Sequence, residues 1–182
     1  MNFGVDPSLW ADGAPYDVGG VEPDVFRELM GDVAAPVTVI TAIGADGRPH
    51  GTTVSAFCSV SLDPPLVAVM LNNRSDLLKL VRRTHRYGVN VLSDRQDDLA
   101  MAFASKDGSR FDGVQWETAQ GLPKLAGSSA WIACSVERET RGGDHAIVVG
   151  RVIEGESQPQ APLIYHHRRF GTHSAYAWVG RG

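Results

Sequence analysis

Hydrophobic positions along this chain fall mostly in short β-branched or alternating runs, and helical spacing is confined to a few places. Val25, Phe26, Leu29 and Met30 recur at three- and four-residue intervals and predict a short helix ending near Gly31. Val37-Thr38-Val39-Ile40-Thr41 is β-branched throughout and leads into Ala45-Asp46-Gly47, a hairpin signal. One long strand is expected from about Pro49 to Ser61, broken by Asp63-Pro64-Pro65 because proline cannot donate to a ladder. Leu66 to Leu71 is continuously apolar and expected to be buried on both faces. Leu77, Leu78, Leu80 and Val81 predict a helix from about Ser75 to Arg83, and Tyr87 to Leu92 reads as a strand. Leu99, Met101, Ala102 and Phe103 mark a helix beginning after Asp94, a residue type that caps well. Lys106 to Ser128 is glycine-rich and reads as mostly irregular. Two strands, Trp131 to Val136 and His145 to Ile153, flank Gly142-Gly143-Asp144, and a short one lies near Leu163 to Tyr165.

Hairpins with two helices set between strands predict a mainly β fold with peripheral helices, a β-barrel rather than a doubly wound sheet. The absent motifs agree. No glycine fingerprint follows a strand, and no phosphate-cradling lysine loop, serine elbow, zinc-protease helix or paired-cysteine metal site is present. A nucleotide ligand would therefore be held by some other architecture. The opening residues, 1–20, are rich in Gly, Pro and Asp without periodicity and read as a flexible arm, leaving 21–182 as one domain.

Composition narrows the setting. Hydrophobic residues make up 43% of the chain, yet its longest apolar run, Leu66 to Leu71, falls far short of the roughly 20 residues a bilayer requires. The opening segment lacks the basic start and apolar stretch of a secretory signal. Cys58 and Cys134 each sit in a strand-like run and read as reduced core residues, so a cytoplasmic protein with no membrane contact is expected. A formal net charge of −4 argues against nucleic acid. His166-His167-Arg168-Arg169 is the local exception; it is either a solvated basic loop or a docking patch for an anion such as a dinucleotide pyrophosphate.

Two stretches carry candidate chemistry. Along Gly51 to Ser61, alternation places Thr53, Ser55, Phe57, Ser59 and Ser61 on one face, four hydroxyls around one aromatic ring with no charge. Such a face suits a flat polar heterocycle, and it equally suits a Ser/Thr-rich strand packed inside a barrel. Asn72-Asn73-Arg74-Ser75-Asp76 joins an apolar strand to a helix, where free N–H groups and the helix dipole can receive a phosphate. Asp76 opposes this by putting a carboxylate in the first turn. His145, after a tight Gly-Gly-Asp turn, reads from its own surroundings as either a structural turn residue or a functional one.

Val37 to Thr41, Asp46-Gly47-Arg48-Pro49-His50-Gly51, Ser55-Ala56-Phe57 and Ser59-Val60-Ser61-Leu62-Asp63-Pro64-Pro65-Leu66 together resemble the flavin reductase-like family. The likeness continues through Asn90-Val91-Leu92, Arg110-Phe111-Asp112-Gly113 with Trp116, Gly143-Asp144-His145, Val149-Gly150-Arg151-Val152 and Pro162-Leu163-Ile164-Tyr165. It spans roughly Val25 to Gly171. That family includes the reductase partners of two-component flavin monooxygenases. The resemblance implies a homodimeric split β-barrel of the FMN-binding type, with FMN or FAD near the subunit interface and no metal. Carried over by position, the flavin pocket is expected to use Pro49, His50, Gly51, Thr52 and Thr53, Ser55 and Ala56, and Met70, Leu71 and Asn72. Ser75, Asp76 and Leu77, with Ala102 and Phe103, complete it. His145 is expected beside the nicotinamide of NADH or NADPH, and Ile164, Tyr165, His166 and His167 are expected to meet the same dinucleotide. Asp76 stands where the family often has Ser or Thr, and Ala102 where relatives can offer a basic residue.

The implied activity is hydride transfer from reduced nicotinamide to FMN or FAD, with reduced flavin passed to a partner monooxygenase. A flavin carrier or electron-transfer protein without turnover, or an oxidase or heme-handling relative of the barrel, are the competing readings.

Overall fold

The computed structural model describes residues 19–105, 110–173 and 175, so the expected arm lies outside the described residues except for Gly19 and Gly20. The chain divides into two units, Met1–Met30 and Gly31–Gly182. Helix α1 (Pro23–Gly31) lies almost wholly in the first, and its Val25, Phe26, Leu29 and Met30 are exposed.

In the second unit the elements run β1 (Ala35–Pro36), β2 (Thr38–Ile43), β3 (Pro49–Val54), β4 (Phe57–Ser61), β5 (Leu66–Asn72), α2 (Asp76–Thr84), β6 (Arg86–Val91) and α3 (Asp97–Ala104). They continue with β7 (Trp116–Ala119), β8 (Leu122–Leu125), β9 (Ala130–Gly142), β10 (His145–Ser157), β11 (Ile164–His166) and β12 (Arg169–Gly171). Seven strands form one antiparallel sheet in the order β3-β2-β6-β9-β10-β5-β4.

The expected single strand from Pro49 to Ser61 is in fact two strands at opposite edges of this sheet. β3 pairs with β2, and β4 pairs with β5. Only Ser55 and Ala56 connect them, a reach of roughly 11 Å at most, so the sheet must curl until its edges nearly meet. At the seam Ala56 O accepts from Met70 N at 3.0 Å, while Phe57 N turns back to Ser55 O at 3.0 Å. No ladder joins β3 to β4. The barrel is therefore split, and the proposed continuous face of hydroxyls does not exist, because a kink resets the alternation.

The two larger of three buried clusters among the described residues fill the fold. One joins Ile40, Val69, Leu71, Tyr87, Val89 and Val148 to Leu77, Leu78, Leu80 and Val81 of α2, whose spacing sets them on one helix face. The other joins Val37, Val39, Leu92, Leu125 and Leu163 to Ala100 and Phe103 of α3. Helix α3 is preceded by Gln96 in the capping position rather than Asp94; its Oε1 accepts from Ser93 N at 3.0 Å.

Two further expectations need correction. The stretch read as irregular contains the hairpin β7–β8, turned at Gln120 and Gly121, both with positive φ. Long-range bonds hold it: Thr41 Oγ1 donates to Pro123 O at 2.8 Å and Leu125 N donates to Asn90 Oδ1 at 2.7 Å. Cys58, read as core, is exposed on edge strand β4; Cys134 is buried, and burial pushes its thiol up to about 12. β11 and β12 form a second hairpin that pairs with β1 in a separate three-stranded sheet. No helix among the described residues is long and apolar enough to cross a membrane.

Candidate functional site

The split between β3 and β5 opens onto two adjoining clefts. The larger, about 710 Å³, is lined by Pro49, His50, Gly51 and Thr52 of β3, Asn72, Arg74, Ser75, Asp76 and Leu77 at the start of α2, and Arg110 with Phe111. The smaller, about 260 Å³, is lined by Thr52 to Ala56, Met70, Leu71, Asn72, Ser75 and His145. Thr52, Asn72 and Ser75 line both.

The backbone of β3 faces this opening with donors that have no ladder partner among the described residues. Leu92 N donates to Val37 O at 3.0 Å, so alternate residues of this strand (Val37, Val39, Thr41) turn their polar groups toward β6 and the others toward β3. In β3 the laddered residues are then His50, Thr52 and Val54, which leaves the N–H groups of Gly51 and Thr53 on the open edge. Gly51 is required here: a Cβ would stand 2.7 Å from Phe103 Cε1 and 3.3 Å from Ile40 O. Phe103 is fully buried and meets Phe111 edge-on at 4.9 Å, so it forms the floor beneath Gly51 rather than a wall of the cleft.

The side-chain hydroxyls of β3 serve α3 instead. Thr53 Oγ1 donates to Ala100 O at 2.6 Å and Thr52 Oγ1 to Phe103 O at 3.5 Å. Ser55, in the kink, is exposed and lines the smaller cleft.

At the start of α2, Ser75 Oγ accepts from Leu78 N at 3.4 Å, the cap its residue type predicts. The first N–H groups of the helix have no intrahelical partner and point toward the larger cleft's end of the helix. Asp76 turns its carboxylate to Lys79 Nζ at 2.7 Å; that hydrogen bond first, and the lysine charge with it, hold the acid below its ordinary 3.8. The preceding turn is braced from across the sheet. Asn73 N donates to Asp144 O at 3.0 Å and Asn73 Nδ2 to Gly143 O at 3.3 Å. Gly143, at φ +64°, makes the tight turn that brings this about. His145 stands opposite Asn72 in the β10–β5 register, and its Nδ1 lies 2.7 Å from Asp144 Oδ1. This contact, a hydrogen bond before a charge effect, lowers the pKa of Asp144. The histidine ring is thereby oriented by its neighbour at the mouth of the smaller cleft.

Sequence reasoning passed over Arg110 and Phe111 as site residues, though it placed Arg74 in the stretch that could receive a phosphate. Arg110 Nη1 donates to Gly51 O at 2.7 Å, and its buried Nε has no partner among the described residues. The motif Arg110-Phe111-Asp112-Gly113 was visible in the sequence, but its reach back to β3 was not. An orphaned guanidinium donor, Arg74, and the helix end together offer an anion several donors in one cleft.

Most of the expected pocket residues thus line one or other cleft, and six do not. Phe103 is the floor, Ala102 is exposed on α3, and Ile164, Tyr165, His166 and His167 belong to the β11–β12 hairpin outside both clefts. His167 Nε2 instead meets Asp32 Oδ1 at 2.8 Å.

Residues 30–174 match the flavin reductase like domain, and the chain belongs to that family. It is 39% identical over 168 residues to a flavin reductase (NADH) of Kitasatospora aureofaciens, covering 90% of this chain and 86% of that protein. It is 36% identical over 146 residues to the reductase component of 4-nitrophenol 4-monooxygenase/4-nitrocatechol 2-monooxygenase of Rhodococcus opacus, covering 80% and 78%. Among solved structures, the NADH:FAD oxidoreductase SgcE6 of Streptomyces globisporus C-1027, in complex with NAD and FAD fragments, matches with a TM-score of 0.78 at 32% identity. That match covers 82% of this chain and 91% of SgcE6. The split barrel is the fold that SgcE6 shares with it.

Proposed function

We propose that this chain is an NAD(P)H-dependent flavin reductase that transfers hydride from NADH or NADPH to FMN or FAD. The observation that carries this reading is the pair of adjoining clefts: a backbone edge with free donors and a cationic helix end in one, and an oriented histidine in the other. A planar heterocycle with a phosphate tail fits those features. The open N–H groups of Gly51 and Thr53 would bond its polar edge, and Ser55 and Ala56 would border the ring. Ser75 to Leu77, with Arg74 and the orphaned Arg110 Nε, would take the phosphate.

Hydride transfer between the two bound rings is chemistry those groups supply themselves. What the chain contributes is placement and exclusion of water. The seam at Ser55-Ala56 and Met70 borders the smaller cleft, where a nicotinamide would lie against the flavin. His145, fixed by Asp144, would orient that nicotinamide without moving a proton. A mere flavin carrier has no use for an oriented group at this second cleft. The reading of Ile164 to His167 as further dinucleotide contacts is kept only as part of this proposal, since those residues lie outside both clefts.

The reduced flavin would serve a separate monooxygenase, as the name of the Rhodococcus opacus relative says of that protein. A homodimer formed by one domain, 21–182, is part of the reading. Val60 and Leu62 on and beside edge strand β4, 52% and 93% exposed, are the apolar surface a second copy would cover. A cytoplasmic setting accords with two cysteines that form no disulfide. The test is steady oxidation of NADH or NADPH by the purified protein with FMN, FAD or riboflavin added. Flavin-dependent turnover proportional to protein is expected; oxidation no faster than in protein-free controls would overturn the proposal.

A further inference from the structure

Beside the β7–β8 hairpin lies a further cleft, of about 500 Å³, that shares no lining residue with the two clefts described above. A volume of this size lies within the roughly 300–1,000 Å³ typical of small-molecule sites. Trp116, half-buried, and the buried Leu125 and Trp131 form its apolar wall. The backbone around them is pinned by three bonds: Ala126 N donates to Gln115 O at 3.0 Å, Gln96 Nε2 to Ala126 O at 2.9 Å, and Gln158 N to Ser129 O at 2.7 Å. Ser128 lines the same cleft at 6% exposure, and its buried Oγ has no hydrogen-bond partner among the described residues. A buried hydroxyl left unpaired costs stability, so its presence here points to a polar group that arrives with a ligand. Trp131 Nε1 is also unpartnered, but a Cβ on Gly88 would lie 3.4 Å from it, so the cleft takes that residue's ring and not its N–H.

We propose that this cleft is a second ligand site, for a small neutral aromatic molecule carrying a hydroxyl, and that its occupancy alters flavin affinity in the larger cleft. The binding stands by itself, whereas the coupling rests on the flavin reading of that cleft. Charge selects the ligand class. Lys124 is the one cation among the lining residues, and two acids hold it: its Nζ lies 2.9 Å from Glu117 Oε1 and is ion-paired with Glu156. One lysine against two carboxylates leaves the lining net negative, which repels an anion. A phenol stays neutral, since phenolic hydroxyls titrate near about 10. Its hydroxyl can both donate to and accept from Ser128 Oγ, and its ring suits a wall built from two indoles. The route to the flavin cleft is a row of packed rings. Trp116 meets Phe111 edge-on at 5.8 Å, and Phe111 meets Phe103 edge-on at 4.9 Å. Phe111 itself lines the larger cleft, and Phe103 lies directly beneath Gly51. A ligand seated against Trp116 therefore presses on the floor of the strand that faces the flavin, because close-packed rings transmit a displacement instead of absorbing it.

Titration calorimetry of the flavin-free protein with 4-methylphenol, toluene and benzoate tests the site without turnover. 4-Methylphenol is expected to bind saturably, with a Kd on the order of 1 mM or below. Toluene, which lacks the hydroxyl, should bind roughly three- to tenfold more weakly, and benzoate more weakly still. Ser128→Ala should weaken 4-methylphenol by a similar factor while leaving the melting curve unchanged or raised, since the hydroxyl it removes is unpaired. Ala126→Trp, at an exposed position on the cleft wall, should abolish the binding. Flavin quenching titrations in saturating 4-methylphenol should show the flavin Kd shifted by about fivefold or more in the parent, and unshifted in Ala126→Trp. No saturable binding, binding unchanged in both variants, or benzoate bound as tightly as 4-methylphenol overturns the site. An unshifted flavin Kd in the parent overturns the coupling, and so does a shift that persists in Ala126→Trp, which marks competition inside the flavin cleft. Failure of flavin to bind at all overturns the flavin reading and the coupling with it, while the calorimetry still decides the second site.

Discussion

Replacing Gly51 by alanine adds one carbon at the most crowded point of the site. The new Cβ would stand 2.7 Å from Phe103 Cε1, 3.0 Å from Cδ1 and 3.3 Å from the Ile40 carbonyl oxygen. Neither neighbour can yield cheaply. Phe103 is fully buried and wedged against Phe111 at 4.9 Å, and Ile40 is part of the ladder that holds β3. Overpacking of this kind costs about 1–3 kcal/mol. For a chain of this size each kcal/mol lowers the melting midpoint by roughly 2–4 °C, so a loss of about 2–12 °C is expected. Because the Gly51 backbone also lines the larger cleft, flavin affinity should fall in the same variant. Urea unfolding followed by far-ultraviolet circular dichroism gives the stability term, and flavin titration gives the second. Phe103→Leu removes the ring that clashes, so the double variant should be more stable than the two single losses predict, by about 1 kcal/mol or more. A Gly51→Ala protein that unfolds like the parent, with strictly additive losses in the cycle, would show that Gly51 is not held against Phe103.

Four further outcomes follow from the structure. Ser55→Leu, at an exposed kink position bordering the smaller cleft, should abolish flavin binding with little change in the melting curve, and quenching that titrates as in the parent would separate the seam from the ring. His145→Ala should slow reduction of bound flavin by up to about 100-fold, the scale of a donor misplaced by about 1 Å, while oxidised flavin still binds; a well-folded variant with unchanged reduction rates would return His145 to a turn residue. Asp144 is held below its ordinary 3.8, so its bracing of His145 persists above that value and is lost as pH falls through the lowered one. Light scattering at micromolar protein should report a dimer, and Leu62→Lys should shift it toward monomer; a monomeric parent would remove the shared interface from the proposal.

The parts of the fold that were legible in the chain are those set by local chemistry. Thr38 to Ile43, Leu66 to Asn72 and Arg86 to Val91 are β-branched or apolar runs of strand length, and Ser75 caps its helix where a serine should. The seam was hidden because period-two alternation runs unbroken through Ser55 and Ala56; only the change of ladder partner, from β2 to β5, reveals the kink. The β7–β8 hairpin was hidden because its turn uses Gln120 and Gly121 rather than a strong turn pair, and because its anchors, Thr41 and Asn90, are far away in sequence. Strand Cys58 looks like core from its neighbours and is exposed because β4 is an edge. For the site, most residues named from the resemblance line one of the two clefts. The resemblance missed Arg110, whose bond to Gly51 O spans 59 positions of sequence.

Anaerobic rapid mixing of the protein–flavin complex with NADH or NADPH tests the central claim most directly. Bleaching of the flavin should track loss of reduced nicotinamide one for one, saturate with nicotinamide concentration, and slow when the transferred hydrogen is replaced by deuterium. Flavin that stays oxidised, or that bleaches no faster than free flavin in the same mixture, would contradict a reductase built on these two clefts.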